Sequence, residues 1–153
     1  MEIRPLTARD YPHAGRIFFC AVHEGARNVY SPAQRLAWGG ATIDLDRWRE
    51  RIAPMQGFVA EDAGEPVGFM TIDADGHIDL AFVLPSQAQR GVGAKLLGAV
   101  EDWARMQGVA RLTTFASLAA RPFFARHGWV VVERQQVARG GAVLERYSME
   151  KVL

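Results

Sequence analysis

Apolar positions recur along this chain with two different periods, and the changes of period mark out its elements. Glu2 to Leu6 predicts a short strand, and Thr7 or Asp10 can cap a helix that carries Ile17, Phe18, Ala21 and Val22 on one face. Ser31-Pro32 offers an N-cap followed by proline at the first helical position, leading to Leu36 and Trp38, and a further short helix is expected over Asp44 to Arg51. From Gly57 the pattern shifts to strands: Phe58 to Glu61, Pro66 to Ile72 and Ile78 to Leu84 are separated by the turn signals Asp62-Ala63-Gly64-Glu65 and Asp75-Gly76, which predicts an antiparallel meander. Gly91 to Met106 is the clearest helix, with Leu96, Leu97, Val100, Trp103 and Ala104 on one face and Glu101 spaced to pair with Arg105 on the other; Gly108 can end it. Arg111 to Ala116 then reads as a strand and Leu118 to His127 as a helix. Trp129 to Arg139 and Ala142 to Lys151 read as strands joined at Gly140-Gly141.

The chain of 153 residues suits one domain over 1–153, and 49% hydrophobic with 23% charged residues suits a folded protein. A net charge of +1 without a basic cluster argues against a nucleic-acid partner. The single cysteine, Cys20, permits no internal disulfide, and no apolar window reaches the ~20 residues of a membrane span. Charges at Met1 to Asp10 stand where a signal peptide needs apolar residues, so a cytoplasmic setting away from membranes is expected.

Candidate chemistry begins where the third meander strand ends, at Val83-Leu84-Pro85. Gln89, Arg90, Gly91, Val92, Gly93 and Ala94 form a Gly-rich turn opening an amphipathic helix, an arrangement whose free backbone N–H groups can hold a pyrophosphate. No Lys-Ser or Lys-Thr follows the second glycine as a P-loop needs, and the third glycine of a dinucleotide fingerprint is missing. Nothing has the Cys/His spacing of a metal site.

This segment resembles the pyrophosphate motif of the GNAT superfamily of N-acetyltransferases: Gln or Arg, two residues, Gly, one residue, then Gly or Ala, after a strand ending in Val and a nearby Pro. Val83, Pro85, Arg90, Gly91 and Gly93 match; the opening position is Ala88, which departs from the pattern. Ser117 to Trp129, containing Arg121-Pro122-Phe123-Phe124 and Gly128-Trp129, is similar to the later family motif Ala-x-x-Phe-Tyr-x-x-x-Gly-Phe. The resemblance covers Gly57 to Val132 well and the first 56 residues in outline. Tyr30 to Trp38 further resembles a bacterial subgroup of such enzymes.

The resemblance implies an α/β fold with a mixed, mostly antiparallel sheet of six to seven strands, splayed between the fourth and fifth strands and flanked by about four helices. Acetyl-CoA would lie in the opening, against the backbone of Phe82 and Val83, with its pyrophosphate on Gln89 to Ala94 and with Phe123 and Phe124 beside it. Ser117 is either a pantetheine contact or the cap of the next helix. Asp79, His23 and Glu24 are the candidate bases for deprotonating an amine. The family's acid is the Tyr of Phe-Tyr, here Phe124, so Tyr147, Tyr30, water or no acid at all would serve the leaving thiolate. Tyr30 and Trp38 either line the acceptor pocket or pack in the core. The implied reaction is direct attack, in a ternary complex, of a small-molecule amine or a protein amino group on acetyl-CoA. A non-catalytic acyl-CoA sensor is the alternative, and edge pairing of strands offers a route to a homodimer.

Overall fold

The computed structural model describes residues 1–153. Strand β1 (Glu2–Pro5) leads through a short turn of 3-10 helix into α1 (Tyr11–Cys20), which continues as one π-helical turn over Ala21–Gly25. Helices α2 (Pro32–Gly39) and α3 (Leu45–Ile52) follow, then the meander β2 (Gln56–Asp62), β3 (Glu65–Ile72) and β4 (His77–Val83). The second half comprises α4 (Val92–Met106), β5 (Arg111–Ser117), α5 (Arg121–Arg126), β6 (Val130–Arg139) and β7 (Ala142–Val152). The seven strands form one mixed sheet in the order β1-β2-β3-β4-β5-β7-β6.

The caps read from the sequence largely set these boundaries. Ser31 accepts from Gln34 N–H while the Gln34 side chain returns to Ser31 N–H, a reciprocal box that starts α2. Asp44 starts α3 by accepting from Arg47 N–H. Helix α5 is shorter than the sequence suggests: Ser117 to Ala120 form a turn first, and Pro122 sits in the opening helical turn.

One face of the sheet packs on α4 and α5 through a cluster that includes Met70, Ile72, Ile78, Leu96, Leu97 and Phe124. The other face packs on α1 and α3 through Ile17, Phe18, Trp48, Phe69 and Leu80. Glu101, expected to face solvent beside Arg105, turns inward instead and takes Lys151 Nζ at 2.8 Å; Arg105 pairs with Asp102. Its position at the edge of the buried face of α4, within reach of Lys151 on β7, overrides the local i,i+4 spacing.

Only one pair of neighbouring strands is parallel, β4 with β5, and it holds together for two residue pairs, His77 with Thr113 and Ile78 with Thr114. Thr114 Oγ1 donates to Ile78 O at 2.9 Å, the last link before the strands part. Beyond it β4 stays with β3 as far as Val83, while β5 stays with β7 as far as Ser117. The sheet is therefore open between Leu80–Val83 and Ala116–Ser117.

Candidate active site in the sheet opening

A bulge in β4 shapes the opening. Met70 pairs with Ala81 and Ile72 with Ile78, so Asp79 and Leu80 together oppose Thr71. The displaced Leu80 N–H donates to Thr71 Oγ1 at 3.1 Å, in a position where Thr71 is wholly buried. Past the bulge the strand regains its alternation: Leu84 N–H donates to Val67 O, and Phe82 O lies close enough to Gly68 that a Cβ there would meet it at 3.3 Å. Phe82 thus directs its backbone at β3. Ala81 and Val83, on alternate positions, direct theirs into the opening. This corrects the expectation that Phe82 and Val83 together present free backbone; Phe82 contributes its ring instead, which packs against Phe18 and Trp38.

Where β4 ends, the Gly-rich turn places a helix start beside those free groups. Gln89 and Gly91 both have positive φ, +62° and +81°, which swings the chain into α4. The first bond within α4 runs from Lys95 N–H to Gly91 O, leaving the N–H groups of Val92, Gly93 and Ala94 without helical partners. Gly93 has a second reason to be glycine: a Cβ there would stand 2.9 Å from the Phe123 ring of α5. Arg90 is exposed and bonded to Gln87 Oε1 at 3.1 Å.

A cavity of about 490 Å³ occupies the opening and continues onto the α1/α3 face of the sheet. Ala81, Phe82, Ser117 and Phe124 line its inner part, and Phe18, Tyr30, Trp38 and Trp48 form an aromatic wall. Trp48 is also core, buried against Phe18 with ring centroids 4.8 Å apart. The Ser117 Oγ accepts from Ala120 N–H at 3.1 Å, which closes the turn before α5 and does not cap that helix, whose N-cap is Ala120; Ser117 also borders the cavity, so its O–H remains free to donate there.

Of the candidate proton-transfer groups, Asp79 alone brings its side chain to this cavity unspent on a neutral partner. It lies in the bulge and is held by Arg51, with Nη2 to Oδ2 at 3.2 Å. His23 is directed elsewhere: its Nε2 bonds Gly40 O at 2.8 Å and it does not border the cavity. Glu24, on the π-helical turn, is exposed and also outside. Both residues lie on the π-helical turn that ends α1.

Tyr147 lies on the opposite side of β7 from the cavity, beneath Arg121 at 4.7 Å, with its OH on Glu145 Oε2 at 3.2 Å. Tyr30 does reach the cavity, but its OH is committed, donating to Glu145 O at 2.6 Å and accepting from Leu118 N–H at 2.9 Å. Burial pushes that phenol above its ordinary pKa. Neither tyrosine occupies the place of the missing acid; Phe124 does, 1% exposed and against Trp129.

Thr71, Ala81 and Arg51 carry signals too faint for sequence reading, because a bulge leaves no mark in the alternation of β4. The same holds for the β6–β7 hairpin, which closes the far wall of the cavity: Gln34 Nε2 donates to Val143 O at 2.8 Å and Tyr30 OH to Glu145 O, stitching α2 and its approach to β7.

The same architecture and its sequence recur in known proteins. A family model described as an acetyltransferase (GNAT) domain matches residues 26–152. The N-acetyltransferase YafP of Escherichia coli is 36% identical over 149 residues, covering 97% of this chain and 94% of its own. The crystal structure of a GCN5-related N-acetyltransferase from Rhodopseudomonas palustris superposes with a TM-score of 0.93 at 32% identity, over 99% of this chain and 95% of that one. YncA from Salmonella typhimurium, solved with its cofactor acetyl-CoA, shares the fold at a TM-score of 0.74 and 20% identity, over 100% and 94% of the two chains. With the splayed strands, the bulged β4 and the Gly-rich helix start in their places, this chain belongs to the GNAT family of acyl-CoA-dependent acetyltransferases.

Proposed function

We propose that the protein transfers the acetyl group of acetyl-CoA to a primary amine by direct attack within a ternary complex, and that it does so as a single domain in the cytoplasm. The observation that carries this reading is the set of backbone donors without ladder or helical partners, Ala81 and Val83 on the open edge of β4 and Val92, Gly93 and Ala94 at the start of α4. Five N–H groups in that order match a carbonyl, a pantetheine amide and a pyrophosphate better than they match any compact ligand.

When bound, acetyl-CoA supplies a thioester whose carbonyl carbon is the electrophile. Ala81 N–H, on the open edge of β4 just past the bulge, would donate to the thioester carbonyl oxygen, and a preorganised donor of this kind contributes about 10²–10³ in rate. Val83 continues the strand edge, and the first turn of α4 takes the pyrophosphate. The incoming amine enters from the aromatic side of the cavity, where Asp79 receives its proton, directly or through water. Arg51 keeps the carboxylate at the cavity floor. Phe124 gives no proton, so the departing thiolate would leave unaided or take a proton from water, with the free O–H of Ser117 able to donate a hydrogen bond to it. The exposed edge strand β6 is the surface through which two copies would pair.

The test is release of free thiol from acetyl-CoA with a panel of amines, using the wild type and Asp79→Asn. Acceptor-dependent release that falls tenfold or more in the variant, with acetyl-CoA binding retained, is expected. The phenyl ring at position 124 favours one second reading, a sensor that binds acyl-CoA without turnover; stabilisation by acetyl-CoA with no release from any amine would establish it instead.

A further inference from the structure

The acceptor end of the cavity carries an imbalance of charge that the transfer reaction itself does not require. Four arginines border it: Arg47 and Arg51 from α3, Arg139 from β6 and Arg146 from β7. Three carboxylates border it as well, and each is already engaged. Asp79 is paired with Arg51, Glu145 with Arg134 outside the cavity, and Asp44 Oδ1 accepts Arg47 N–H as the cap of α3. None of the ion pairs in the protein includes Arg47, Arg139 or Arg146.

Arg146 is the most constrained of these. It is half-buried, its guanidinium lies over the Phe115 ring with Cζ 4.0 Å from the centroid, and Nε donates to Gln135 Oε1 at 2.9 Å. Two supports of this kind fix the plane of the fork and leave both terminal amino groups without a protein acceptor. Burial, and then the like charge of Arg139, push its pKa below the ordinary arginine value, so the site as it stands is short of negative charge. A guanidinium held over a ring and tied at Nε, with its terminal amino groups bare, matches a planar or tetrahedral oxyanion bidentately, and the exposed Arg139 and Arg47 border the same cavity.

We infer that the acceptor is an amine bearing its own oxyanion, a carboxylate or a phosphate, bound by Arg146 with Arg139 and Arg47, while its amino group faces Asp79 and its apolar body lies on the wall formed by Trp38 and Phe18. This rests on the transfer reading above and narrows it: of the two acceptor classes, it selects a small anionic amine over a lysine side chain in a protein.

Matched pairs of acceptors test it. Phenylalanine is compared with phenylalaninamide, and phosphoethanolamine with ethanolamine, by thiol release from acetyl-CoA and by thermal stabilisation of the CoA-saturated protein. The anionic member of at least one pair is expected to exceed its neutral partner about tenfold to a hundredfold in kcat/KM, the effect of one charge-assisted bidentate contact. The two pairs separate carboxylate from phosphate. Arg146→Met is expected to bring that ratio towards one, through KM; because both members are measured on the same protein, any loss of folded enzyme cancels. Neutral partners equal to or better than the anions, a ratio unchanged by Arg146→Met, or no response to any of the four compounds would overturn the anion site. Stabilisation by an anionic amine that depends on Arg146 but is accompanied by no thiol release would uphold the anion site and sink the transfer reading.

Discussion

Replacing Thr71 with valine removes one hydroxyl and almost no volume, yet it strikes the hydrogen bond that anchors the bulge. Thr71 is wholly buried, and its Oγ1 is the recorded acceptor for Leu80 N–H at 3.1 Å. Without it a buried backbone donor is left unpaired, which costs about 1–3 kcal/mol. For a chain of this size each kcal/mol lowers Tm by about 2–4 °C, so a fall of roughly 2–12 °C is expected. Relaxation of the bulge to recover a partner for Leu80 moves Ala81, whose N–H is the proposed donor to the carbonyl; kcat is then expected to fall tenfold or more, within the limit of about 10²–10³ set by loss of such a donor. Thr71→Ser keeps the oxygen and drops a methyl group, worth about 1 kcal/mol of burial. Differential scanning calorimetry and thiol release on wild type, Thr71→Val and Thr71→Ser decide the matter. Serine is expected to retain most of kcat where valine does not. Equal damage in both variants would mean that methyl packing holds the bulge, and no damage in either would refute the reasoning.

Other perturbations probe separate parts of the account. Gly93→Ala puts a methyl group 2.9 Å from the Phe123 ring, so it should displace α5 from the start of α4 and raise KM for acetyl-CoA severalfold or more while changing kcat less. Phe124→Tyr supplies a phenol beside the cavity and is expected to raise kcat about tenfold; no gain in steady-state assays would mean the thiolate needs no acid. Asp10 is 3% exposed, and although burial alone raises its pKa, hydrogen bonds from Arg4 and Thr7 outweigh that and hold the carboxyl below its ordinary value. A folded value below the unfolded one means that its stabilisation is complete above about pH 4 and is lost as the pH falls through the folded value. Asp10→Asn should therefore lower the urea midpoint at neutral pH and flatten its decline below about pH 4; parallel acid profiles for variant and wild type would contradict this.

What the sequence made legible was what periodicity and turn chemistry encode locally. The amphipathic stripe of α4, the caps Ser31 and Asp44 and the Gly-rich turn all stand where their residues predict. The two family motifs brought the opening between β4 and β5 with them, since Gly91 to Ala94 follow β4 into α4 and Ser117 ends β5. What stayed hidden depends on displacement or on distant partners. A bulge adds one residue without changing composition, so Asp79 and Leu80 read as ordinary strand positions and the roles of Phe82 and Ala81 were exchanged. His23 and Glu24, taken as candidates from the family resemblance, lie on the π turn after Cys20 and outside the cavity. Arg146 is chemically informative only because Phe115, Gln135 and Arg139 surround it, and these come from β5 and β6.

The central claim, that backbone donors along the open edge of β4 and the start of α4 hold the acyl donor, is tested most directly by amide hydrogen exchange with and without acetyl-CoA. Slowed exchange is predicted at Ala81, Val83, Val92, Gly93 and Ala94, with Phe82, whose backbone already faces β3, unchanged. Binding that leaves those five amides as they were, or that protects Phe82 in place of its neighbours, would contradict it.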